Sequence, residues 1–110
     1  MKFAVPTWEG KLCQHFGHCE VFTIVEELAD GTLKSEAVTP PAHEPGVLPR
    51  WLAEQSVNCI IAGGMGMRAQ ELFKQSGIKV CVGASVKTPE ELVAEFIAGT
   101  LVTGTNTCDH

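Results

Sequence analysis

The sequence holds no run of lysine and arginine, no evenly spaced cysteines, and no apolar stretch near the ~20 residues that a membrane-spanning helix needs. Each absence excludes something. Lys and Arg number 8 against 13 Asp and Glu, for a net charge of −5. Nucleic acids and anionic membrane surfaces are bound by clustered cations, so neither partner is expected. The start, Met1 to Pro6, reads as a short strand without the charged and apolar regions of a signal peptide, so a cytoplasmic location is expected. Five cysteines is an odd number, and a chain with a good core needs no disulfide staples. Free thiols in a reducing compartment are the natural reading.

What is present describes one globular domain. The chain has 110 residues, 45% of them hydrophobic and 19% charged, which is ordinary for a single core. Residues 1–99 carry the regular patterning. Residues 100–110 are polar and rich in Gly and Thr, and are expected to form a flexible tail.

Periodicity gives the order β β β α β α β α. Lys2 to Val5 reads as a buried strand stopped by Pro6, with a loop from Thr7 to His18. Glu20 to Glu26 alternates as a second strand, and Ala29-Asp30-Gly31 turns the chain into a third over Leu33 to Val38. Three prolines between Thr39 and Gly46 make a loop. Val47, Leu48, Trp51 and Leu52 repeat at helical spacing, with Pro49 tolerated in the first turn. Val57 to Ala62 is an apolar, β-branched run but for Asn58 and reads as a central strand. A helix with Ala69, Leu72 and Phe73 on one face follows, and then a strand over Lys79 to Val82. Thr88-Pro89-Glu90-Glu91 is a capping box that opens the last helix. Right-handed crossovers then predict a five-stranded mixed sheet of strand order 3-2-1-4-5, strand 2 antiparallel, with helices on both faces. This is an α/β layered fold of the ribonuclease H-like kind. Ligands of such sheets sit beyond the carboxyl ends of the strands at the switch point, here between strands 1 and 4.

Two chemical segments belong at that point. Gly63-Gly64-Met65-Gly66 lies between a strand and a helix. Its glycines permit close backbone approach, and the helix start offers N–H groups to an anion. It is not a P-loop, because no Lys-Ser or Lys-Thr follows, and its spacing is wrong for a dinucleotide fingerprint. Met65 places a thioether at its tip, and Arg68 can lend positive charge. The second segment is "CQHFGHC". Cys13, His15, His18 and Cys19 fail the C-x(2–4)-C spacing of zinc knuckles, yet a loop can bend two or three of them toward one metal. Phe16 is expected to pack at the core edge, and Gly17 to sit in a tight turn. Because Cys13 and His15 are read as loop residues, replacing either by Ala is expected to leave folding nearly unchanged. Cys108 and His110 at the chain end can fold over a site as a lid. Cys59 and Cys81 fall inside predicted strands and read as buried apolar thiols. The first strand has no carboxylate for two-metal nuclease chemistry. No motif unites a nucleophile, a base and an oxyanion hole, so an enzyme is not expected.

Taken in order, "HFG" at 15–17 with Phe22 beyond it, "HEPG" at 43–46, "GGMGMRAQELFKQSGIKV" at 63–80 and the "TGTNTCDH" tail resemble the dinitrogenase iron–molybdenum cofactor biosynthesis family. This family includes NifX-like carriers, the C-terminal domain of NifB-like proteins and the molybdenum–copper orange protein. The resemblance spans nearly the whole chain. It implies a ribonuclease H-like fold and a non-enzymatic role. That role is to bind an iron–sulfur, molybdenum–iron–sulfur or molybdenum–copper–sulfide cluster, or its precursor, and pass it from donor to acceptor proteins. It implies that His15, Gly17, His43, Gly63, Gly64, Met65 and Gly66 line the cluster pocket, with Arg68 beside them. Metal contacts would come from His15 and His43. Cys13, Cys19, Cys108 and His110 are further candidate ligands. Cys13 and Cys19 stand where many relatives carry small residues, so they are this chain's own variation. A monomer or weak homodimer is expected. The alternative is a mononuclear metal or small-anion sensor acting through a protein partner.

Overall fold

The computed structural model describes residues 1–13, 21–40 and 47–101. Among these residues the sheet has six strands, not five. They are β1 (Lys2–Trp8), β2 (Lys11–Leu12), β3 (Val21–Glu27), β4 (Leu33–Val38), β5 (Cys59–Ile61) and β6 (Lys79–Cys81). The order is β4-β3-β1-β5-β6, with β2 paired to β1. The expected five-stranded 3-2-1-4-5 sheet, and with it the ribonuclease H-like label, gives way to this arrangement.

The physical reason lies at Pro6 and Gly10. β1 does not stop at Pro6. The Pro6 carbonyl accepts from the Cys13 amide at 2.9 Å, so the N–H that proline lacks faces the short β2 segment rather than the continuous ladder to β3. β1 runs on to Trp8 and turns back through Glu9 and Gly10, both at positive φ (52° and 82°). That is the two-residue hairpin geometry whose twist suits the flanking strands, and Gly10 adopts it without strain.

β3 pairs antiparallel with β1 from Thr7↔Val21 to Lys2↔Glu26 and fills one edge of β1. The other edge is shared. β5 takes its first half, parallel, at Phe3↔Cys59 and Ala4↔Ile60, and β2 takes its end at Thr7↔Leu12. β6 continues the parallel side next to β5.

Among the described residues three helices cover the sheet: α1 (Val47–Glu54), α2 (Met67–Gln75) and α3 (Pro89–Ala98). Alternation along the strands sends side chains to opposite faces. Ala4, Phe22, Ile24 and Ile60 pack with Leu48 and Leu52 of α1 and Phe73 of α2. Phe3, Val5, Val25, Cys59 and Ile61 pack with Leu92 and Val93 of α3. Edge-to-face ring pairs close both layers: Phe22 with Trp51 at 5.9 Å, and Phe3 with Phe96 at 5.2 Å. The start of α3 follows the capping pattern, with the Thr88 hydroxyl accepting from the Glu91 amide at 3.3 Å. Gly99 ends it in the left-handed conformation, φ 76°.

Candidate functional site

The chain ends of the sheet gather its chemical segments. Trp8 of β1, Val21 of β3, Val38 of β4 and Ile61 of β5 all lie at one end, as their pairings require. Val21, which follows stretch 14–20, and Val38, shortly before stretch 41–46, therefore lie at the end where Ala62–Gly66 leaves β5. His15, Gly17, Cys19, His43, Cys108 and His110 lie outside the described residues, as do His18 and Phe16.

The glycine segment is firmly held. Past the last strand residues the β5–β6 pairing continues: the Ala62 amide donates to Cys81 at 2.8 Å, and the Gly83 amide donates to the Gly63 carbonyl at 2.7 Å. Gln70 reaches back from α2, and its Nε2 donates to the Met65 carbonyl at 2.9 Å. The segment after β6 crosses to β2, where the Leu12 amide donates to the Lys87 carbonyl at 2.9 Å. A loop pinned at both ends and in its middle is preorganised, so a ligand there pays little ordering entropy.

The residues of this segment do not share one orientation. Gly63 and Gly64 are buried, whereas Gly66, Met67 and Arg68 are exposed. Met65, expected at the tip of the cradle, is 0% exposed and belongs to the core under α1 and α2. The methionine facing solvent is Met67, 58% exposed, the first residue of α2. Sequence reasoning overlooked it because the three glycines drew attention to the residue between them. The helical periodicity starting at 67 was the available signal. Cys13 is only 7% exposed and sits in the same core as Met65. The expectation that Cys13 is a freely replaceable loop residue is therefore corrected: β2 carries it inward beside Pro6.

The start of α2 is electrostatically open. Its N-cap, Gly66, has no side chain to bond the first amides, and its first turn has no acidic residue. Its leading N–H groups and dipole thus retain their partial positive charge. A Cβ at Gly66 would meet nothing within 4 Å, and its φ of −64° suits any residue. Neither space nor backbone conformation inside the protein requires glycine at this position. Arg68 adds a full charge one residue into the helix. Among the described residues the single ion pair is Lys87–Glu95, remote from Arg68 in sequence and on the surface.

Sequence reasoning also passed over a relationship between Cys59 and Cys81. They lie on neighbouring parallel strands with their Sγ atoms 3.9 Å apart. The hydrogen bond shared with Cys59, aided by the Lys79 charge against the opposing effect of burial, holds Cys81 down at about 7, while the Cys59 thiol also has the Ile60 carbonyl as an acceptor at 3.8 Å. The shared hydrogen bond, with burial, pushes Cys59 up.

Comparison with known proteins decides the family. The family described as "Dinitrogenase iron-molybdenum cofactor" matches residues 1–99. The chain belongs to this family. Among curated relatives, the uncharacterized protein MJ0580 of Methanocaldococcus jannaschii is 33% identical over 107 residues, covering 92% of this chain and 89% of its own. The crystal structure of PH0822 superposes with a TM-score of 0.83 at 27% identity, over 94% of each chain. The apo form of the orange protein from Desulfovibrio gigas shares the fold, with a TM-score of 0.73 at 23% identity over 96% of this chain and 93% of its own. The dinitrogenase-cofactor family match includes every described element and the whole glycine segment. It associates the chain with metal-cluster cofactor biosynthesis. No helix among the described residues is long and apolar enough to cross a membrane.

Proposed function

We propose that this protein is a non-enzymatic carrier. It receives an anionic metal–sulfur cluster or its precursor, iron–sulfur or molybdenum-containing, from a donor protein and passes it to an acceptor. The cluster is cargo, and the chain's task is to hold it reversibly. The observation that carries this reading is the uncapped, acid-free start of α2 behind a pinned glycine segment, in a chain of this family.

The residues present fit such a cargo. Bridging sulfides are large, soft and negatively charged, and they accept hydrogen bonds from backbone N–H groups. Gly66 leaves room for them against the amides of the first turn. Arg68 offsets the repulsion that a chain of net charge −5 exerts on an anion. Met67 offers an exposed thioether suited to copper, iron or molybdenum–sulfide surfaces, while Met65 anchors the segment to the core. His15 and His43, outside the described residues, would supply exchangeable ligands, with Cys19, Cys108 and His110 as further candidates. Few strong ligands suit a carrier, since cargo must also leave.

Gly66→Asp tests the reading. A carboxylate at the N-cap would bond the first amides and stabilise α2 by about a few tenths of a kcal/mol relative to glycine. It would also place negative charge where the cargo belongs. After anaerobic reconstitution with iron, sulfide and molybdate, wild-type protein should develop a visible chromophore, and Gly66→Asp should lose most of it while melting no lower. Equal chromophore in both would remove the helix start from the site.

A further inference from the structure

Cys59 and Cys81 bring a second pair of thiols together on the face covered by α3, opposite the face on which Met65 packs. Cys59 is wholly buried and Cys81 partly so, both packed with Phe3, Leu92 and Val93. Their sulfurs are 3.9 Å apart. The register pairs Cys81 with Ile61 and Cys59 with Lys79, so the two cysteines are diagonal neighbours.

This register works against a disulfide. Strands about 4.8 Å apart with a two-residue offset of about 6.6 Å put the Cα atoms roughly 8 Å apart. A disulfide needs about 4.4 to 6.8 Å. Closing one would require β6, which forms two further bonds past its end at Ala62 and Gly63, to slide along β5. An ion between the sulfurs asks for no such slide. Two metal–sulfur bonds of about 2.3 Å span about 3.8 Å at a tetrahedral angle and about 4.6 Å when collinear. The observed 3.9 Å lies at the bent end of that range, and a collinear two-coordinate ion asks the sulfurs to part by about 0.7 Å, within reach of side-chain rotation.

The surroundings select the ion. A tetrahedral ion would need two more ligands, yet no group of three or more His, Cys, Asp or Glu side chains suited to a metal exists among the described residues. The walls are apolar. A soft cation content with two thiolates fits, and thiolates prefer such ions. Two thiolates and a monovalent cation leave one net negative charge. Lys79, two residues before Cys81 on the same side of β6, stands ready to offset it, its ammonium 5.2 Å from the centre of the Phe96 ring.

We propose that Cys59 and Cys81 form a two-coordinate bis-thiolate site for a soft monovalent d10 cation, Cu(I) being the cellular representative, entered past Cys81 at the sheet edge. Binding releases the two thiol protons to solvent and changes no oxidation state. The site is independent of the cargo reading.

The test uses full-length reduced protein titrated anaerobically with Cu(I) against a chromophoric chelator, followed by X-ray absorption at the copper edge. One equivalent should bind with two sulfur scatterers and no nitrogen. Cys59→Ala and Cys81→Ser should each weaken that equivalent by about 100-fold or more, beyond the 10–100-fold typical of losing an outer-shell partner. A Cys19→Ser/Cys108→Ser double variant should retain it. Copper bound by three or more atoms, or undiminished affinity in both folded single variants, would overturn the proposal. Where a single variant does not fold, the same absorption measurement on the Cys19→Ser/Cys108→Ser protein decides: loss of the two-sulfur equivalent there would also overturn the proposal.

Discussion

The amide of Gly83 donates to the carbonyl of Gly63 across 2.7 Å, tying the end of β6 to the start of the glycine segment. Gly83 makes this bond from a left-handed backbone, φ 78°. Any side chain there is strained, at a cost of about 1–2 kcal/mol. Gly83→Ala should therefore lower the unfolding free energy by that much, with a matching fall in the urea midpoint, and also weaken cluster loading, through a misplaced Gly63. An unchanged midpoint would show that the segment is not held as described.

Burial separates the two methionines. Met65→Ala should cost about 2–5 kcal/mol, as for other large-to-small core changes. Met67→Ala should stay within about 0.5 kcal/mol of wild type and should still reduce cluster loading. Chemical denaturation alongside reconstitution checks both halves. Loading that follows Met65 alone, through lost stability, would exclude Met67 from the site.

A buried pair of threonines gives a directional test of the sheet. The Thr7 hydroxyl donates to the Val5 carbonyl at 2.7 Å and lies 2.8 Å from the Thr23 hydroxyl. Its one proton is thus committed, and Thr23 is the donor to Thr7. Thr23→Val loses one hydrogen bond and should cost about 0.5–1.5 kcal/mol. Thr7→Val strands the Thr23 hydroxyl and should cost more, about 1–3 kcal/mol. Equal costs in denaturation would contradict this assignment of donor and acceptor.

In metal-free protein Cys81 should be the reactive thiol of its pair. Its alkylation rate should reach half-maximum near the value of about 7 that the Cys59 hydrogen bond and Lys79 impose, against an ordinary value of 9.0. Cys59→Ala should move the profile upward, because the thiolate loses its donor. Lys79→Met should move it upward as well, because the thiolate loses a nearby cation. Peptide-resolved mass spectrometry of alkylated protein reads this directly. A profile at the ordinary thiol value in wild type would contradict the geometry.

The sequence made much of the frame legible. Leu33 to Val38 is the fourth strand residue for residue, and Thr88 caps α3 through Glu91 as its spacing implied. β2 escaped notice because it has only two residues, and because Pro6 was read as a stop when its missing N–H costs nothing to the β3 ladder. Cys13 was misplaced for the same reason: once β2 exists, alternation carries it into the core. The glycine segment and Arg68 were visible as chemistry, but which methionine faces outward depends on where α2 begins. The Cys59–Cys81 pair was hidden because it follows from parallel register, which alternation along one strand does not specify.

The central claim is that this chain holds a metal–sulfur cluster as cargo. Elemental analysis of anaerobically purified protein, for molybdenum, iron, copper and acid-labile sulfide, tests it most directly. The account expects sulfide together with at least one of these metals, lost when Gly66 is replaced by Asp. Folded protein that carries neither metal nor sulfide as purified, and takes up neither on reconstitution, would contradict it.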